Sequence, residues 1–69
     1  MNALSNATNY IASAILRDLR SGKSTVEAIA ERNNYRAYEI QIAMDELEKD
    51  RKVASQQING GKFRVYMLR

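Results

Sequence analysis

The 69-residue chain contains no cysteine and no histidine. The first absence excludes a disulfide framework and any thiolate metal site. The second leaves carboxylates alone as metal donors and removes the base most often used at neutral pH. No apolar run approaches the roughly 20 residues needed to cross a bilayer. Residues 1–9 are polar and lack the basic-then-apolar layout of a signal peptide. Linkers, low-complexity stretches and internal repeats are missing as well. The expectation is a cytoplasmic protein with no membrane attachment, no metal and no cofactor. Its 69 residues make one small domain, with residues 1–8 as a flexible N-terminal tail.

What is present is mildly basic. Eleven Lys and Arg against eight Asp and Glu give a formal charge of +3, with a pI near 9.5, a weak pointer to a polyanionic partner. The distribution says more than the sum. Arg17, Arg20 and Lys23 lie near the start, and Arg51, Lys52, Lys62, Arg64 and Arg69 at the end, while acids concentrate between Glu39 and Asp50.

Tyr10, Ile11, Ala14, Ile15 and Leu19 recur at helical spacing, opposite Arg17, Asp18 and Arg20. With Thr8 or Asn9 as N-cap and Gly22 as the stop, this predicts a first helix over about residues 9–21. Ser24 followed by Glu27 has capping-box spacing and opens a short second helix through Val26, Ile29 and Ala30, ended by Asn33 and Asn34. A third helix runs from Arg36 to about Lys49. Ala37, Ile40, Ala43, Met44 and Leu47 form its apolar face, and Tyr38, Glu39, Ile42, Asp45, Glu46 and Lys49 the other.

After Arg51 the period changes from 3.6 to 2. Residues 62–67 alternate, and Asn59-Gly60-Gly61 before them is a hairpin turn signal, with a weaker partner strand over 53–58. A three-residue loop would put Val53, Phe63, Val65 and Met67 on one face and Gln56, Lys62 and Arg64 on the other; a two-residue turn at Asn59-Gly60 is the alternative register. An isolated hairpin is marginal in water, so it must fold back onto the helices, and residues 23–25 can add a short third strand. Tyr10, Val65 and Met67 are expected in the core.

Three look-alikes give way to simpler readings. Ser21-Gly22-Lys23-Ser24 resembles the end of a phosphate-binding loop, but Arg17 stands where that motif needs glycine and a helix precedes it. Asn6-Ala7-Thr8 fits a glycosylation sequon, yet nothing else suggests secretion. Asp45, Glu46 and Glu48 read as a solvated helix face rather than an acid/base pair. No nucleophile–base pair or metal cluster can be assembled, so the chain reads as a non-enzyme.

Ala30, Asn34 and Ile40 have the spacing of a helix-turn-helix: a small residue where the helices cross, a left-handed residue four positions on, and a β-branched residue six further. With Leu47 leading through a basic stretch to Val53, the chain resembles the winged helix-turn-helix family of DNA-binding domains, including the multiple-antibiotic-resistance type repressors. The resemblance runs from Tyr10 to Leu68. It departs at Asp50-Arg51, where many members have glycine after the third helix.

The resemblance implies an α+β fold of three helices followed by a β-hairpin wing, and binding to double-stranded DNA by a small transcriptional regulator, prokaryotic or phage-like in its brevity. It implies that the third helix reads bases in the major groove through Arg36, Tyr38, Gln41 and Ile42. The wing would follow a phosphate backbone or enter the minor groove, which gives Lys62 and Arg64, with Arg51 and Lys52 at its base, an electrostatic positioning role. A homodimer on paired half-sites is a further expectation. The acids of the third helix restrict deep insertion to its first two turns, where Glu39 is the awkward residue. A Z-DNA-binding relative of the fold is rejected, because Gln41 and Asp45 occupy its asparagine and tyrosine positions and the chain has no proline. The alternative function is a protein-interaction module using the acidic and aromatic face of the third helix, where Tyr38 and Ile42 lie one turn apart. Lys62 and Arg64 have a blander role too, in keeping a hairpin edge from pairing with other chains.

Overall fold

The computed structural model describes residues 3–69. The elements run α1 (Ala3–Leu19), α2 (Val26–Asn33), α3 (Ala37–Lys49), β1 (Val53–Ile58), a single 3-10 turn (Asn59–Gly61) and β2 (Phe63–Leu68). The strands form an antiparallel two-stranded sheet. One core cluster joins Ile11, Ile15 and Leu19 of α1, Val26, Ile29 and Ala30 of α2, Ile40, Ala43, Met44 and Leu47 of α3, and Val53 and Tyr66 of the hairpin.

The first helix begins at Ala3, earlier than its apolar stripe suggests, so Thr8 and Asn9 lie inside it and neither is its N-cap. Of the tail expected over residues 1–8, Met1 and Asn2 fall outside the described residues and the rest is helical. The segment from Ala3 to Leu19 contains neither glycine nor proline, so a helix anchored by Ile11 and Ile15 can extend backward at little cost. At the other end the chain tightens, with Arg20, Ser21 and Gly22 donating to the carbonyls of Arg17, Asp18 and Leu19. Tyr10 is not core; it is 74% exposed. It sits about 100° round the helix from Ile11, outside the stripe that meets the other helices.

The second helix is capped one residue later than the Ser24–Glu27 spacing suggests: Thr25 Oγ1 accepts from Ala28 N–H at 3.1 Å. Ser24 is occupied elsewhere. Its backbone exchanges two hydrogen bonds with Tyr66, at 2.9 and 2.7 Å, and its hydroxyl accepts from Arg32 at 2.7 Å. That single antiparallel bridge is what forms of the third strand expected over 23–25.

Asn34 adopts φ 60°, ψ 41°. The N–H of Tyr35 reaches back to the Ala30 carbonyl at 2.9 Å and that of Asn34 to Glu31 at 3.4 Å, closing α2 with a left-handed turn. Ala30 is buried beneath the turn and Ile40 completely so. The end of α3 repeats the device. Arg51 takes φ 61°, its N–H donates to Glu48 at 3.0 Å, and Lys52 N–H donates to Leu47 at 2.9 Å. An arginine therefore holds the position that glycine usually fills.

The hairpin register differs from both expected ones. Ile58 pairs with Phe63 and Val53 with Leu68, so four residues, 59–62, make the turn. That shift reverses which residues share a face with Val53. Tyr66, not Phe63 or Met67, joins Val53 in the core and is 3% exposed. Val65 is buried on the opposite face, Met67 is half-buried there, and Phe63 is exposed.

Candidate nucleic-acid interface

The outward side of α3 follows from its buried side. With Ile40, Ala43, Met44 and Leu47 inside, Tyr38, Ile42, Asp45 and Lys49 point away from the core. Tyr38 is 62% and Ile42 51% exposed. Arg36 is exposed immediately before the helix, and its N–H donates to Glu39 Oε1 at 2.9 Å. This is half of a capping box, since a guanidinium has no acceptor to return the bond. Glu39 is thus turned onto the helix's own N-terminus, where its charge also suits the dipole.

Gln41 faces sideways rather than outward. Its amide NH2 donates to Asp45 Oδ1 at 2.9 Å and to the Tyr66 hydroxyl at 3.3 Å. It lines an open cleft between α3, the start of α2 and the hairpin, together with Glu27, Asp45, Lys62, Phe63, Arg64 and Tyr66. Arg64 donates to Ser55 Oγ at 3.4 Å, and that hydroxyl donates to Glu48 at 2.7 Å. The hairpin is thereby tied to the side of α3 through two polar chains that sequence periodicity alone did not reveal. Their signal lay in the register, which sets Ser55 opposite Tyr66 and Gln57 opposite Arg64.

Residues 56–64 are exposed without a break. Asn59, Gly60 and Gly61 follow one another with φ of 53°, 66° and 88°, which asparagine and glycine tolerate best. Lys62 and Arg64 stand on this projecting finger. Arg51 and Lys52 are exposed at the α3–β1 turn, separated from Arg36 by the 13 residues of α3, about 20 Å along its axis. The eight expected contact residues therefore fall into separate groups: Arg36, Tyr38 and Ile42 around the start of α3, Gln41 in the cleft with Lys62 and Arg64 across from it, and Arg51 with Lys52 at the far end.

Charge separates the regions sharply. Through Asp50 the chain has six cations and eight carboxylate side chains; from Arg51 onward it has five cations and no carboxylate side chain. All of the net positive charge thus belongs to the hairpin segment.

Away from this face, Asp18 accepts from Arg32 through both carboxylate oxygens and from Asn33 at 2.9 Å. The Arg32 guanidinium holds the Asp18 carboxyl below its ordinary pKa, with Asn33 assisting and partial burial opposing. The same contact raises Arg32. The cluster joins the end of α1 to the end of α2 at the surface.

No protein-family model and no curated protein matches the chain. Solved structures do. Lactococcus lactis ZitR, as a mutant in apo form, superposes with a TM-score of 0.82 at 20% identity, over 94% of this chain and 50% of that one. The fold is a winged helix-turn-helix. The adhesin competence repressor AdcR of Streptococcus pyogenes gives 0.81 at 18% identity, over 86% of this chain and 45% of AdcR. A ZitR mutant in complex with DNA gives 0.77 at 22% identity, over 86% and 41%. The winged-helix chain spans half the length of these neighbours or less. Among its described residues no helix is long and apolar enough to cross a membrane.

Proposed function

We propose that this winged-helix domain binds double-stranded DNA as a small transcriptional regulator without catalytic activity. The observation that carries the reading is the concentration of the net positive charge, five cations without one carboxylate side chain, on the hairpin segment beside an outward-facing α3. A neighbour of the same fold is a complex with DNA. In this reading the first two turns of α3 enter the major groove, and the hairpin tracks the phosphate backbone. Arg36 reads a guanine edge and Ile42 meets a thymine methyl. Gln41 reaches adenine once it exchanges its bond to Asp45. Lys62 and Arg64, with Arg51 and Lys52 behind them, supply the electrostatic part, and two copies on paired half-sites would double it.

Fluorescence anisotropy with labelled duplexes, titrated against salt, tests this directly. Binding is expected at low salt and falls steeply as salt rises. Arg36→Ala is expected to reduce preference for a selected duplex over a random one by about tenfold. Absence of binding to any duplex at micromolar protein overturns the proposal. It would favour the second reading, a protein-interaction module using Tyr38 and Ile42, which stand exposed beside the acids of α3.

A further inference from the structure

The chain's one phenylalanine is not in the core. Phe63 is 53% exposed near the end of the hairpin and pairs across the strands with Ile58, itself 37% exposed. Beyond them the finger narrows to Gly60 and Gly61, so the first bulky groups below its apex are this apolar pair and Lys62. Arg64 belongs to the opposite face of the ribbon, where it reaches Ser55. A cross-strand pair of this kind stabilises a hairpin modestly, but that alone does not require a large ring half-exposed to solvent next to the turn.

From these positions we infer that Ile58 and Phe63 form an apolar wedge that enters the minor groove of duplex DNA at a flexible pyrimidine–purine step. The inference rests on the duplex-binding reading. The occupant follows from charge: Lys62 and Arg64 adjoin Phe63 along the chain, and the ribbon itself offers no carboxylate side chain to repel phosphate, the acids that share a cleft with Phe63, Glu27 and Asp45, belonging to α2 and α3. Apolar side chains that part a base step lose stacking energy, which contacts of nearby cations with the backbone offset, and pyrimidine–purine steps open at the lowest cost. A slim glycine apex lets the ribbon reach the groove floor. The wing then contributes sequence preference through deformability, in addition to charge.

The test uses the full chain and a short duplex with 2-aminopurine at a central TpA step, whose fluorescence rises when the base unstacks. Wild type is expected to raise the signal about threefold on saturation. Phe63→Thr keeps a strand-forming residue and is expected to abolish the rise and weaken binding about fivefold, with the salt dependence unchanged. Phe63→Leu, which retains an apolar tip and tests that the hairpin still folds, is expected to keep most of the rise. Tight wild-type binding without the rise, or a full rise in Phe63→Thr, overturns the wedge while leaving duplex binding intact. Self-association that depends on Phe63, without a fluorescence change, overturns it in favour of a copy-to-copy contact. Failure of wild type to bind any duplex sinks the underlying reading itself.

Discussion

The helical body and the hairpin of this domain divide the physical work differently. The body supplies most of the buried core and carries more acid than base; the hairpin sends only Val53 and Tyr66 into the core cluster, and the segment from Arg51 to Arg69 that contains it carries all of the net positive charge. Within the body, α3 presents groups suited to discrimination, such as Arg36 and Ile42, on a helix whose later turns repel phosphate. Affinity and selectivity are therefore expected to respond to different substitutions.

The largest effect should come from the hairpin. Replacing Lys62 and Arg64 together by Ala is expected to weaken binding to every duplex by about 50-fold at low salt, and to reduce the slope of log affinity against log salt by about 2. A loss confined to one sequence would break the division just described. The acids of α3 should act in the opposite sense. Asp45→Asn removes a negative charge from the outward face and is expected to tighten binding to all duplexes about threefold, measured by anisotropy. Unchanged affinity would mean that α3 stays clear of the phosphates.

Smaller effects test the frame that holds the two regions in place. Asn34→Ala keeps a β-carbon in the left-handed turn but loses the short amide that eases this conformation, and is expected to cost about 1 kcal/mol in urea unfolding, whereas Asn34→Gly should be close to neutral. Equal losses for both would indicate that the asparagine side chain, not its backbone, holds the turn. The smallest effect concerns pH. Asp18 has a lowered pKa in the folded domain, chiefly through Arg32. Between the folded and unfolded values the unfolded chain binds the extra proton, so stability rises with pH there. The contribution is complete above about pH 4 to 5, where unfolded aspartate is ionised, and is lost as pH falls through the folded value. Asp18→Asn should flatten the stability profile in that acid window; an unchanged profile would remove Asp18 from the account.

Much of the fold was legible along the chain. Ala30, Asn34 and Ile40 act through local geometry and close packing, and periodicity identified the buried face of α3 except for Ala37, which is exposed. The candidate site was less so. Gln41 has suitable groups for reading adenine, yet a tertiary contact with Tyr66 and a neighbour one turn on engage its amide. Glu39 looked like an obstacle and is a helix cap. Phe63 and Tyr66 exchanged places between core and surface because a four-residue turn replaced a three-residue one, and parity in a strand is all or nothing. Nothing in residues 53–68 discriminates strongly between those registers, since both leave apolar groups on each face.

The order of three helices and a hairpin, the left-handed turn at Asn34 and the charge contrast at Asp50–Arg51 were determined by the sequence itself, because propensity, spacing and charge act over a few residues. The hairpin register, the burial of Tyr66 and the exposure of Phe63 were decided only in the tertiary structure. There the bridge from Ser24 to Tyr66 and the packing of Val53 against α3 select one pairing among several that are locally acceptable.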